Sequence, residues 1–265
     1  MSRTCQSLLF DRNGRPLADI AGGSWDFKHG DVIPRHAHHE DQLLFAAEGV
    51  MTVDTSQGIW VVPPLRAVWI PAETVHGVTM SGRVSMRTLY FQPTLCKSLP
   101  RRCLVINISC LLKELILHAC TFPRLQRKAA SERHVVDLIV DQLKVVESIP
   151  VQLPQPNDAR ARKLVEKLFA DPSDPRPLDD LCSESGASKR TMQRLFVEET
   201  GMSFSKWRQR QRLISAMQRL AAGEAVTNAA LESGYNSTSA FIAMFRKQLG
   251  MTPTRYLSGG LRQKD

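Results

Sequence analysis

The spacing of apolar residues changes character along the chain. From about Gly22 to Pro93 the apolar runs are short: Trp25–Phe27, Leu43–Phe45, Met51–Asp54, Ile59–Val62, Val68–Ile70 and Val84–Phe91. Gly30, Pro34, Gly49, Gly58, Pro63, Pro64, Pro71 and Gly82 punctuate them. Many short strands at close spacing predict a sandwich or small barrel. From about Ile108 to Ser148 the period becomes helical, with Leu111, Leu112, Leu115 and Ile116 on one stripe and Val135, Leu138, Ile139, Leu143 and Val146 on another. The leucine-rich stretch Leu111–Leu117 fits packing against the barrel, pairing with a second copy in a homodimer, or both. Ile149–Pro156 then places three prolines within seven residues. That cannot continue a helix, so 150–157 is expected to be an extended linker. Beyond it the pattern is helices and short turns throughout. The expected fold is α+β in two domains: a barrel with following helices over 1–149, and an all-α domain over 158–265.

The all-α part contains a repeat. Leu178–Phe196 and Val226–Phe245 share a small residue four positions before a glycine: Cys182 before Gly186, and Ala230 before Gly234. Each copy then has a serine, Ser188 or Ser237, and an apolar pair at i, i+4: Met192 and Phe196, or Phe241 and Phe245. The small residue lets two helices cross closely. The glycine permits the positive φ of the tight turn. The serine caps the next helix, and the apolar pair faces the core, leaving the opposite face free. Two helix-turn-helix motifs follow, at about 178–199 and 226–249. Between them Ser203 to about Ala222 reads as one uninterrupted helix. About 20 residues at 1.5 Å each give about 30 Å, enough to hold two recognition helices roughly one DNA turn apart.

Charge sharpens this picture. The formal net charge is +9, carried as +3 by residues 1–150 and +6 by residues 151–265. Between Ser188 and Arg219 stand eight basic residues, Lys189, Arg190, Arg194, Lys206, Arg208, Arg210, Arg212 and Arg219, against Glu198 and Glu199 alone. Such a local excess is the footprint of nucleic-acid binding. Double-stranded DNA is therefore the expected partner.

Residues from about Asp158 to Leu257 resemble the DNA-binding domain of the AraC/XylS family of regulators. The first motif matches at Gly186, Ser188, Arg190, Gln193, Arg194 and Phe196, and the second at Gly234, Tyr235, Ser237, Phe241, Phe245, Gly250, Thr252 and Pro253. The resemblance implies base reading by Arg190 and Gln193, and a base or phosphate contact by Arg194. Lys189 and Ser188 at the same helix start join the candidate set. Ser237, Thr238 and Ser239 suit phosphate and weak base contacts, with capping the competing role for Ser237. Where the family often has arginine, this chain has Ala243, which shifts expected affinity toward the first recognition helix.

In the N-terminal half, Gly30, His36, His38, Gln42 and Gly49 fall on spacing similar to the first signature of the cupin barrel, with Gln42 at the position of its glutamate. Pro71–His76 resembles the second signature, with His76 as third histidine and Glu73 in place of the usual glycine. The resemblance implies a sensor barrel in which His36, His38, Gln42 and His76 line a pocket for a small-molecule effector. The same three histidines could instead hold a divalent metal, with Gln42 a poor fourth ligand because a neutral amide offsets no charge. His39, Glu40 and Asp41 read as a solvated rim. The runner-up to a ligand-controlled regulator is a metal-dependent cupin enzyme with a basic appendage, but an enzyme needs neither helix-turn-helix.

Composition narrows the setting. No apolar run approaches the roughly 18 residues of a membrane helix. Met1–Cys5 leads into no apolar signal segment, so a cytoplasmic protein with no membrane partner is expected. Cys5, Cys96, Cys103, Cys110, Cys120 and Cys182 form no C-x-x-C pair and read as buried, inert thiols.

Overall fold

The computed structural model describes residues 9–11, 16–64, 66–144, 148–149 and 152–257. The chain divides into two compact units, residues 1–55 with 60–150 and residues 151–265 with 56–59. Each is described by itself.

The first unit is an antiparallel sheet followed by two helices. Its strands are β1 (Ile20–Phe27), β2 (Val32–His36), β3 (Asp41–Thr55), β4 (Gly58–Val62, of which Trp60–Val62 belong here), β5 (Arg66–Ile70), β6 (His76–Phe91), β7 (Leu104–Asn107) and β8 (Ser148–Ile149). Two long strands, β3 and β6, pair along nearly their whole length, from Asp41 opposite Phe91 to Thr55 opposite His76. The runs Leu43–Phe45 and Met51–Asp54, expected as separate strands, are halves of β3. Gly49 is the reason for the misreading: the pairing shifts register between Ala46 and Val50, so the strand bulges there and continues. On its other side β6 pairs β2 near His76–Thr79 and β1 over Val84–Phe91. β5, β7 and β8 extend the sheet from β3. β7 was not legible as a strand, since Leu104–Ile106 runs straight into the helical pattern.

Alternation along the strands divides the unit. Leu43, Phe45, Leu89, Phe91 and Trp69 face α1 (Cys110–Ala119) and α2 (Ala130–Lys144), and are buried with Leu112, Ile116, Ile139 and Leu143. Each such side chain contributes about 1.5–3 kcal/mol of burial. The neighbouring residues Gln42, Leu44 and Tyr90 line a pocket on the opposite face, which residues of β1 and β2 complete. That pocket takes Val78 from the first half of β6 and Met86 from the second, so the sheet curls around it. The two apolar stripes of the helical region are two helices, and Pro123 supplies no amide N–H between them. α2 is also rotated from the expected register. Val136, Ile139, Val140 and Leu143 are buried, whereas Leu138 is 40% exposed. Val146 lies outside the described residues.

The second unit is all helical apart from the extended pair Gln152–Leu153: α3 (Ala159–Ala170), α4 (Leu178–Ser183), α5 (Lys189–Thr200), α6 (Phe204–Ala221), α7 (Val226–Glu232), α8 (Thr238–Leu249) and α9 (Pro253–Leu257). α6 is the spine, with α5, α7 and α9 against it. Two aromatic clusters fill the space on either side. Phe196 packs on Phe204 and Trp207 at ring separations of 5.1 and 5.4 Å. Phe241 and Phe245 pack between Tyr235 and Tyr256. The segment expected to be linker is tied down in its second half. Trp207 donates its indole N–H to Pro154 O at 2.7 Å, and Arg210 donates to Gln152 O at 2.8 Å. Pro150 and Val151 lie outside the described residues. Among the described residues no helix is long and apolar enough to cross a membrane.

Candidate nucleic-acid interface and effector pocket

Both copies of the sequence repeat fold as helix, tight turn, helix. Gly186 and Gly234 occupy their turns at φ of 71° and 81°. The hydroxyl of Ser188 accepts from Thr191 N–H and that of Ser237 from Ala240 N–H, each at 3.2 Å, capping α5 and α8. Met192 and Phe196, and Phe241 and Phe245, are buried. The outward face of α5 presents Lys189, Arg190, Gln193 and Arg194, all exposed. That of α8 presents Ser239, Ile242, Ala243, Arg246 and Lys247, with Thr238 half-buried. A groove runs beside α5, with an apolar floor that includes Leu178, Val197 and Phe204 and with Lys189, Gln193, Lys206 and Gln209 among its polar lining.

The basic run is less uniform than its count suggests. Arg208 and Arg212 reach inward to backbone carbonyls: Arg208 to Arg176 O at 2.5 Å and to Asp174 O, and Arg212 to Asp174 O at 2.9 Å. Burial lowers the pKa of both Arg208 and Arg210. Arg219 pairs with Glu224 at 3.0 Å, Lys189 with Asp179 at 2.6 Å, and Arg194 with Glu198 at 3.1 Å. Of the eight, only the side chains of Arg190 and Lys206 make no ion pair or hydrogen bond among the described residues. Half of the charge read as a nucleic-acid footprint is therefore scaffold: Arg208, Arg210, Arg212 and Arg219 join α6 to its surroundings.

In the first unit, the two histidine signatures converge. His36, His38 and His76 offer ring nitrogens that all lie within 4.8 Å of one another. Each ring is oriented by its own backbone. Nδ1–H donates to Pro34 O in His36 (2.9 Å), to Glu40 O in His38 (2.8 Å) and to Thr74 O in His76 (2.8 Å). A carbonyl can only accept, so in the neutral rings the proton sits on Nδ1; the Nε2 lone pairs of His36 and His76 are left to the pocket, whereas His38 Nε2 meets Gln42. Burial first, then the neighbouring His36 and His38, bring the pKa of His76 down to about 4, against a raising effect of the Thr74 carbonyl. Gln42, also buried, bridges His38 Nε2 at 3.1 Å and the Thr88 hydroxyl at 3.0 Å. The Gln42 amide N–H donates to the Thr88 hydroxyl, which in turn donates to Leu43 O at 3.1 Å. The rest of the pocket, about 220 Å3, is lined by Trp25, Phe27, Ile33, Leu44, Met86 and Tyr90 among others, and among the described residues no lysine, arginine, aspartate or glutamate lines it. Trp25, Met86, Thr88 and Tyr90 were not singled out from the sequence. Their period-two alternation with the core-facing residues of β1 and β6 was the available signal.

The reading of His39, Glu40 and Asp41 as a solvated rim holds for His39 alone. Glu40 and Asp41 are 2% and 0% exposed. Asp41 accepts from Arg101 at 2.7 Å and from Ala72 N–H at 2.8 Å, so its burial is compensated by a cation and an amide. Glu73, where a glycine is usual, takes that glycine's conformation at φ 64° and pairs with His39 at 2.5 Å. That pairing raises the pKa of His39. Burial raises the Cys96 and Cys103 thiols to about 12, which keeps them protonated. Cys110 is exposed, contrary to the expectation of burial, and Cys5 lies outside the described residues.

A helical unit with two helix-turn-helix motifs and a curled sheet that holds a small pocket are the parts of a ligand-responsive transcription regulator. Residues 17–181 match the AraC-like ligand binding domain and residues 181–259 a helix-turn-helix domain. The chain is 35% identical to the HTH-type transcriptional regulator NimR of Escherichia coli (strain K12) over 225 residues, 85% of this chain and 82% of NimR. It is 35% identical to the HTH-type transcriptional regulator RipA of Corynebacterium glutamicum over 106 residues, 40% of this chain and 32% of RipA. The chain belongs to the AraC family of DNA-binding, effector-controlled transcription regulators. These relatives are regulators rather than enzymes.

Proposed function

We propose that this regulator reads its operator chiefly through α5 and answers to a small uncharged effector bound in the curled sheet. The observation that carries the first part is on α5. Arg190 and Gln193 stand exposed at i, i+3, and the Arg190 guanidinium is uncommitted. Arginine can contact guanine in bidentate fashion, and glutamine adenine. Arg194 and Lys189 reach DNA by exchanging exposed ion pairs worth less than about 1 kcal/mol for phosphate or base. Lys206 contacts phosphate. The Ser188 and Ser237 hydroxyls are engaged as caps, so they act by shaping α5 and α8, while Thr238 and Ser239 make phosphate or weak base contacts. Arg190→Ala is expected to cost about 1–3 kcal/mol on the specific site and to relax choice at one base pair, measured by binding to a randomised operator library. Equal losses on specific and random DNA would reduce Arg190 to a backbone contact.

The absence of any charged lining residue among the described residues supports an uncharged effector, with an apolar body against Trp25, Phe27 and Met86 and a hydrogen-bonding edge toward His36, Gln42 and His76, His38 standing behind Gln42. Such a ligand changes regulation only if it favours one arrangement of the chain over another. In full-length protein, His36→Ala with His76→Ala should abolish the reporter response while the 151–265 fragment, which lacks both residues, binds DNA undiminished. Full inducibility in a folded double variant would place the sensor elsewhere. Leu111 on α1 and Leu138 on α2, both exposed, support a homodimer through these helices.

A second reading of the same residues rests on the three carbonyl-bound Nδ1–H groups. A histidine that ligates metal through Nε2 commonly donates its other N–H in this way. The set fits an imidazole-preferring ion such as Zn2+ or Ni2+. Zinc titrated into metal-free protein by calorimetry separates the readings. One-to-one binding lost in His38→Ala supports the ion, and no binding leaves the pocket to the organic effector.

A further inference from the structure

A second pocket of about 270 Å3 lies on the helix-packed side of the sheet and shares no lining residue with the effector pocket. Its apolar wall is Leu99, Leu104, Ile106 and Leu143. Trp69 also lines it. That side chain is 1% exposed, its ring stands against Phe91 at 5.6 Å, and its indole N–H has no hydrogen-bond partner among the described residues. A buried donor left unpaired is exceptional in a native protein and calls for an explanation. Two exposed cations also line the pocket, Arg102 and Lys144. Lys144 is engaged by Asp141 at 2.8 Å, whereas the Arg102 guanidinium has no partner among the described residues. Among the described residues no acidic residue lines the site.

An apolar cleft with one unmet donor and one uncommitted cation is complementary to an acceptor-bearing anion with a short apolar body. We propose that this pocket binds a small aliphatic carboxylate. The chain lies against Leu99, Leu104, Ile106 and Leu143, one carboxylate oxygen accepts from Trp69 Nε1–H, and the charge faces Arg102. The regulator then has a second ligand site, chemically distinct from the uncharged pocket within the sheet.

Hexanoate is a suitable probe, with 1-hexanol as its neutral counterpart, each titrated into the full-length protein by calorimetry. Hexanoate is expected to bind saturably and hexanol at least about tenfold more weakly, because charge-assisted hydrogen bonds are the stronger class. Arg102→Ala, a change at an exposed position, should weaken hexanoate about tenfold and leave hexanol unchanged. Trp69→Phe, folded as judged by near-UV circular dichroism, should weaken it as well, while His76→Ala leaves it intact. No saturable hexanoate binding, equal affinity for hexanol, indifference to Arg102→Ala, or loss in His76→Ala would each overturn the proposal.

Discussion

The two helix-turn-helix units are copies in plan and unlike in chemistry. Both turn on a glycine with positive φ, cap the second helix with a serine and bury an aromatic at the same place. Yet α5 meets solvent with Lys189, Arg190, Gln193 and Arg194, and α8 with Ser239, Ile242 and Ala243 before its first exposed cations, Arg246 and Lys247, in the last turn. The interiors carry what the units share, because a crossing of two short helices admits few solutions. The outer faces are free to differ, and there specificity is written. The glycines differ too. Around Gly186 an added Cβ would meet nothing within 4 Å, whereas at Gly234 it would lie 2.7 Å from Arg212 Nε and 2.9 Å from Pro172 O.

That contrast gives the largest expected effect. Gly186→Ala incurs only the left-handed backbone penalty, about 1–2 kcal/mol. Gly234→Ala adds a clash with a backbone oxygen and with an arginine held by Asp174 O. Overpacking of that kind costs about 1–3 kcal/mol more. Chemical denaturation of the 151–265 fragment should rank Gly234→Ala well below Gly186→Ala. Equal losses would mean that Arg212 swings away freely and that the two turns are equivalent.

The outer faces give the next effect. Arg190→Ala should lose about 1–3 kcal/mol on the operator, and Ser239→Ala, which removes one short hydroxyl, less than about 1 kcal/mol. A larger loss for Ser239→Ala would invert the assignment of reading to α5. The shared caps should behave alike. Ser188→Ala and Ser237→Ala are each expected to cost about 1 kcal/mol of stability, measured by denaturation without DNA. A cap effect at one position only would break the structural half of the comparison.

What could be read from the sequence follows the range of the interactions. The repeat, the caps and the long helix α6 are written in local spacing, and they stand where that spacing puts them. The histidine signatures likewise carry their own geometry, since His36 and His76 fall opposite one another on paired strands. Long-range partners leave no such trace. Nothing local marks Arg208, Arg210 and Arg212 as ties to carbonyls far away in the chain, so they were counted with Arg190 as DNA-facing charge. Asp41 was placed in solvent because its counter-ion, Arg101, is distant in sequence. Gly49 reads as a strand end but serves as a bulge, which only the pairing of β3 with β6 decides. Glu73 is a related case: the glycine-like backbone persisted although the residue changed, held by Glu73 N–H donating to His38 O at 2.9 Å.

The smallest effect tests whether the asymmetry between α5 and α8 is one of residues or of placement. Ala243 is exposed on α8, two positions before the buried Phe245. Ala243→Arg adds a cation to the face that lacks one in its first two turns, without disturbing the aromatic cluster beneath. If α8 lies in the groove as α5 does, the new guanidinium should reach a phosphate or a base edge. One added phosphate contact steepens the dependence of log K on log salt by about 0.9 and tightens binding a few-fold at moderate salt. Binding measured over a salt series should show that steeper slope on operator and random DNA alike, with stability unchanged because both residues suit an exposed helix position. An unchanged slope would mean that α8 stands off the DNA whatever its residues. The difference between the units would then lie in docking, and the family's second reading helix would serve here as support for the first.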